Sequence, residues 1–278
     1  MTISVVFKGR LGNQLFQYAT LRTLAELKKI PIYYNLNFTW HEQICKLNYF
    51  NLKESETNFS QNYKYNQPNN SFYFDKNIIN INNNTLIEGH FINEKYFDCC
   101  YSILKKELTI KDEKIIDYCE KFLKNIKNNN KIVGIHFRRG DDLSQALDVE
   151  NFNNEQIDFT KKALEEIKKE NNNVTLLLFT GGFRNSNQEN WKHNTHNDDL
   201  NWLKKFKEKN KEFNMIISPG SETNNELIDF YLLTKCDINI LPNPSTFSWM
   251  ACYLNDNDKT YYNKKLNNFP ASKKFILI

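Results

Sequence analysis

The sequence predicts an α/β protein of two domains, spanning about 1–130 and 131–278, each built around a parallel sheet. Three observations lead there. Beyond residue 131, short apolar runs alternate with helical patterns, and chains of that kind pack as doubly wound parallel sheets. The N-terminal part opens on a strand, a glycine turn and a long helix, the start of a similar layout. The 278 residues are enough for two medium domains, each with its own core.

In chain order, Thr2 to Phe7 reads as a short buried strand, and Gly9-Arg-Leu-Gly12 breaks it before Asn13 opens an amphipathic helix through about Lys29. Pro31 to Asn35 reads as a second strand. An aromatic and Asn-rich region to about Asn70 has no clear period. Thr85 to Ile87 reads as a strand, and Asp98 to Leu108 and Glu113 to Ile126 as helices. The Lys/Asn-rich stretch Lys124 to Lys131 is the expected domain boundary. Strands follow at Ile132 to Phe137, Val174 to Thr180, Asn214 to Ser218 and Asp237 to Leu241. Helices alternate with them, from about Asn154 to Lys169, Leu200 to Lys209, Asn225 to Thr234 and Thr246 to Leu254.

Composition narrows the class. The 37 Lys and Arg against 33 Asp and Glu leave a net charge of +4 with no long block of either sign, so nothing marks a nucleic-acid binder. Six cysteines show no C-x-x-C pair and no zinc-finger spacing, which points to free thiols and a reducing, cytoplasmic setting. No apolar run reaches the roughly 18 residues of a membrane span, and no secretory signal is visible, so any membrane association would be peripheral. The Asn-x-Ser/Thr triplets at Asn37, Asn58, Asn69, Asn83 and Asn173 read as chance products of an Asn-rich chain.

Chemistry concentrates in Lys131-Ile-Val-Gly-Ile-His-Phe-Arg-Arg-Gly-Asp-Asp142. An apolar strand ends there in imidazole, two guanidinium groups and two carboxylates, an expensive set to place at a sheet edge unless it binds an anion. Period-2 geometry puts His136 and Arg138 on one face and Phe137 and Arg139 on the other, so one arginine can meet a ligand while the other braces the loop. An Arg139–Asp141 ion pair holding a turn is the bland alternative. In Asn243-Pro-Ser-Thr-Phe-Ser-Trp249, hydroxyls meet the amides of a helix N-terminus, either as a phosphate cradle or as an ordinary helix cap. Glu226 and Asp229 share a helix face, which reads a guanine edge or is simply solvated. Asp256-Asn-Asp258 has metal-site spacing but follows a helix end and reads as a turn. His41, His90, His193 and His196 form no ligand pattern, so no metal is expected.

Gly9-Arg-Leu-Gly-Asn-Gln-Leu-Phe-Gln-Tyr-Ala19, His136-Phe-Arg-Arg-Gly-Asp141, Asp229 to Asp237 and Ser245-Thr-Phe-Ser-Trp249 occur in that order. In this the chain resembles the α-1,2-fucosyltransferase family, itself similar to α-1,6- and protein O-fucosyltransferases. The resemblance implies a glycosyltransferase B architecture, with two Rossmann-like domains whose parallel sheets face a cleft. It implies a donor, GDP-fucose, a galactose-terminated glycan acceptor, and inverting transfer to a galactoside 2-hydroxyl without a metal or other cofactor. Arg138 would contact the β-phosphate, with His136 and Asp229 against the guanosine. Ser245, Thr246, Phe247 and Ser248 would hold the diphosphate, and Gly12, Asn13 and Gln14 would form the cleft floor in the acceptor domain. Asp141 is the nearest carboxylate to serve as base, although it could instead pin Arg139. Phe179-Thr-Gly-Gly182 and Trp249-Met-Ala-Cys-Tyr depart from the family pattern and leave the acceptor open. Other regiochemistry, a protein or oligosaccharide acceptor, and a non-catalytic nucleotide-sugar-binding module are the alternatives.

Overall fold

The computed structural model describes residues 1–40, 43–68, 72–140, 142, 146–181, 196–243, 245–257, 259–263 and 269–278. Two compact units result, Met1–Asp112 with Asn268–Ser272, and Glu113–Asn267 with Lys273–Ile278.

The first unit runs β1 (Ile3–Val5), α1 (Leu11–Lys28), β2 (Ile32–Tyr33), the short antiparallel pair β3 (Thr39–Trp40) and β4 (Gln43–Ile44), β5 (Tyr63–Asn66), β6 (Thr85–Glu88) and α2 (Tyr101–Glu107). Its sheet has the order β2-β1-β6-β5, parallel throughout among the described residues. The turn into α1 needs glycine at Gly9, where φ is +77° and a Cβ would run into the Asn13 side chain. Rather than amphipathic, α1 is buried at nearly every position from Leu11 to Ala25, because turns at Leu47–Tyr49, Glu94–Tyr96 and Asp98–Cys100 cover the sides that the sheet does not. Several of its buried polar residues are paired, although Thr23 Oγ1 has no partner among the described residues. The Tyr18 hydroxyl donates to Glu107 at 2.6 Å, and Arg22 reaches Glu107 at 2.9 Å and Glu26 at 2.8 Å.

The second unit runs α3 (Glu113–Lys127), β7 (Lys131–Arg138), α4 (Val149–Glu170), β8 (Val174–Gly181), α5 (His196–Lys209), β9 (Asn214–Ile217), α6 (Pro219–Thr223), α7 (Glu226–Lys235), β10 (Ile238–Leu241), α8 (Thr246–Tyr253), β11 (Thr260–Tyr262) and β12 (Phe275–Leu277). Its sheet order is β12-β11-β10-β7-β8-β9, again parallel. The unit begins before residue 130 because α3 packs on α7, where the Tyr231 hydroxyl donates to Glu120 at 2.6 Å.

Alternation along β7 decides what each face does. Val133, Ile135 and Phe137 point into a core shared with Phe159, Ala163 and Leu164 of α4 and Leu203 and Phe206 of α5. Each of the larger side chains among them contributes about 1.5–3 kcal/mol by leaving water. The opposite face carries Gly134, His136 and Arg138. Among the described residues no helix is long and apolar enough to cross a membrane.

Candidate active site

From β7 the chain continues to β8 and β9 on one side, then returns to lay β10 against the other side of β7. The crevice at the carboxyl ends of β7 and β10 is the switch point at which doubly wound sheets bind ligands. His136 and Arg138 leave β7 there, and the turn into α8 leaves β10.

His136 is buried, with its ring centroid 5.8 Å from Phe247, which in turn packs edge-on against Phe230. Its Nδ1 has no hydrogen-bond partner among the described residues. Burial, helped by the charge of Arg138, drives its pKa down to about 3, so the ring is neutral throughout the physiological range. A neutral imidazole with an unmet nitrogen suits a polar, uncharged ligand edge better than a phosphate.

Arg138 is largely covered, and its Nε lies 3.5 Å from Asp142 Oδ1. Asp142 Oδ2 accepts from Asn243 Nδ2 at 2.9 Å, so the two loops of the switch point are tied together. Neither Asp142 nor Asn243 stood out in the sequence beyond membership of its segment. Asp141 lies outside the described residues, as do His41, Gly182, His193 and Asp258.

Arg139 turns away from this crevice. Its Nε donates to the fully buried Asp199 at 2.9 Å, its Nη1 donates to Asn153 Oδ1 at 2.5 Å, and its guanidinium carbon stands 4.4 Å over the Trp202 ring. Asp199, in the first turn of α5, gave no sequence signal, since an acidic residue there usually complements the helix dipole.

At α8, Ser245 caps the helix and Ser248 answers it in a reciprocal capping box, with the two hydroxyls 3.1 Å apart. Both hydroxyls are thereby engaged, and the amides of Thr246 and Phe247 lie in the first turn of the helix, where an anion is favoured. Ser245→Ala is expected to cost about 1 kcal/mol of stability, measured by urea denaturation. An unchanged midpoint would show that the box contributes nothing.

Asp229, on α7, is drawn into a different network. It is buried and accepts from the hydroxyls of Ser218 and, at 2.7 Å, Ser221, and Ser221 Oγ accepts from the Thr180 amide at 3.0 Å. Gly220 permits this approach, because a Cβ there would meet the Asp229 carboxylate and the Asn225 carbonyl. Asp229 therefore ties α7 to α6, and Ser221 ties α6 to the end of β8. Burial outweighs the two serine bonds and pushes its pKa up to about 7. The proton it gains on folding stabilises the protein fully below about 3.8, the ordinary value, and that contribution is lost as pH rises through about 7. Unfolding free energies between pH 5 and 8 should fall by on the order of 3 kcal/mol in the parent protein and flatten in Asp229→Asn. An equal slope in both would assign the pH dependence elsewhere.

Gly12, Asn13 and Gln14 occupy the first turn of α1 in the other unit. Gly12 and Gln14 are buried and Asn13 is half-buried. The Gln14 amide donates to the Gly9 carbonyl at 2.9 Å, which fixes the glycine turn. The sequence reading passed over Gln17, whose side chain bonds the Lys8 amide, the Lys8 carbonyl and the Gly89 carbonyl.

The two units, each built on a parallel sheet, have an α/β architecture similar to that of glycosyltransferase B enzymes. The family model described as Glycosyl transferase family 11 matches residues 1–275, and the chain belongs to that family. No curated protein matches it. Among solved structures it is similar to NodZ α-1,6-fucosyltransferase soaked with GDP-fucose, at TM-score 0.56 and 15% identity over 91% of each chain. NodZ is also recorded from Bradyrhizobium, at TM-score 0.55 and 15% identity, covering 90% of this chain and 91% of that one. A mutant of Arabidopsis thaliana FUT1 in complex with GDP gives TM-score 0.54 and 12% identity, covering 91% of this chain and 68% of that one. POFUT1 in complex with GDP gives TM-score 0.52 and 12% identity, covering 92% and 94%. At such identities the likeness speaks to the fold.

Proposed function

We propose that the chain transfers L-fucose from GDP-β-L-fucose to the 2-hydroxyl of a galactoside, with inversion to an α-1,2 linkage and without a metal. The observation that carries this is the convergence of the neutral His136, Arg138 and the amides of Thr246 and Phe247 at one crevice, in a family 11 chain. The GDP and GDP-fucose complexes of the structural neighbours support the donor, and the order of the chain's own motifs supports the linkage.

Cleavage of the anomeric bond puts negative charge on the β-phosphate oxygen while the sugar becomes cationic. Arg138 meets that charge permanently and with two donors at once, and the α8 amides add fixed dipoles. His136 contacts the nucleoside side, where burial keeps it uncharged. The serine hydroxyls of 245 and 248 act by shaping the α8 turn. Asp229 acts from behind by holding α6, and Asp141 is the carboxylate in sequence reach to take the acceptor proton. In-line attack from the face opposite the diphosphate gives the inverted product.

The test is incubation with GDP-fucose and lactose in excess EDTA, reading GDP release and product linkage. Metal-free α-1,2-fucosyllactose is the expected result. An α-1,6 product, the linkage in NodZ's name, would keep the donor and move the acceptor geometry. Failure to bind GDP-fucose would remove the reading.

A further inference from the structure

The first unit has a switch point of its own. In the order β2-β1-β6-β5 the chain leaves β1 for β2 on one side and later returns to place β6 on the other, so the ligand crevice of this sheet lies beyond Val5 and Glu88. Lys8, Glu88 and His90 are the residues found there. Glu88 bridges two cations, Lys64 at 2.8 Å and Lys8 at 3.5 Å. His90 follows two residues later, and its Nδ1 is buried without a hydrogen-bond partner among the described residues. The unpartnered nitrogen leaves His90 with unmet hydrogen-bonding capacity at this crevice. Burial and the Lys8 charge lower the His90 pKa.

The backbone around these groups is held with unusual care. Phe91, a bulky residue, has φ of +53° in the left-handed region, a strained conformation that persists only where its surroundings enforce it. Gln67 Oε1 accepts both the His90 and the Phe91 amides at 2.9 Å. On the other loop, Gln17 binds the Lys8 backbone through both ends of its amide and also bonds Gly89, so one side chain locks the two loops of the crevice to each other. Neither the fold's core nor the anion chemistry of the second unit uses this cluster.

We propose that Lys8, Glu88 and His90 form a hydroxyl-binding subsite for the acceptor sugar. The inference rests on the transferase reading above, because a transferase needs a second substrate and the switch point of the other unit is taken by the nucleotide donor. A carboxylate shared by two ammonium groups, beside an imidazole with an unmet nitrogen, presents closely spaced hydrogen-bond acceptors and donors, and both cations already have Glu88 as counter-charge. That is the chemistry of a polyhydroxyl ligand.

The experiment measures sugar binding directly, by calorimetric titration with lactose, methyl β-galactoside and chitobiose, for the parent protein, Glu88→Gln and His90→Phe. GDP-fucose hydrolysis and GDP affinity are read in parallel. At least one sugar should bind the parent and lose tenfold or more in affinity in both variants, with GDP affinity and hydrolysis within twofold. Equal sugar affinity in parent and variants, or no binding of any of the three sugars, overturns the proposal. If the parent binds a sugar in the manner expected but neither binds nor hydrolyses GDP-fucose, the subsite stands and the donor reading is the one that fails.

Discussion

Arg138→Ala should lower kcat/KM for fucosyl transfer by on the order of 10²-fold or more, about 3 kcal/mol of transition-state stabilisation, comparable with losing an oxyanion-hole donor. The side chain sits at the end of β7 on the face opposite the core, and its carboxylate neighbour Asp142 is 3.5 Å away and itself one-third exposed. A partly exposed pair of that kind contributes modestly to the fold, on the order of 1 kcal/mol. Activity should therefore collapse while the urea midpoint barely moves. Arg138→Lys should recover only part of the loss, because an ammonium keeps the charge but cannot grip two oxygens in a plane. Steady-state kinetics beside denaturation curves make the comparison, and near-full activity in Arg138→Ala would remove the donor assignment at its centre.

Which of these features could be read from the sequence follows from burial. Strands buried on both faces were legible to within a residue or two, as at β7, β8 and β10, because continuous apolar runs have no other comfortable place. β5 was missed for the complementary reason. Its Tyr-Lys-Tyr-Asn is largely exposed at the edge of the sheet and carries no periodic signal. β11 and β12 are three residues each, too short to show a pattern. At the site, alternation alone separated Arg138 from Arg139. The partners were not legible: Asp142 and Asn243 meet across 101 positions, and Asp199 reaches Arg139 across 60. Such pairs depend on the sheet order, which brings loops together by topology and leaves no local trace. Asp229 shows the same limit differently. Its place beside Glu226 is compatible with a solvated face, and only Ser218 and Ser221, on the chain before α7, make it a buried clamp.

Arg139→Ala should do the reverse of Arg138→Ala, destabilising the second unit by about 3–5 kcal/mol while sparing the chemistry of the molecules that remain folded. Removing the guanidinium leaves the carboxylate of Asp199, fully buried, without its charge partner and strips the Trp202 ring of the cation stacked on it. Against a total stability of about 5–15 kcal/mol, that is enough to shift the urea midpoint far to the left. The charge itself is not what the fold needs. Arg139→Met combined with Asp199→Leu removes both ions and fills their volume with apolar groups that can join Phe137 and Phe206, so the double variant should regain most of the lost stability. Arg139→Lys should not, since a point charge matches neither the Asp199 and Asn153 fork nor the ring face. The two arginines are adjacent in sequence and opposite in fate because a strand sends neighbours to opposite faces. If Arg139→Ala left the midpoint where it was and abolished transfer, both arginines would belong to the ligand, and the division of labour between them would be wrong.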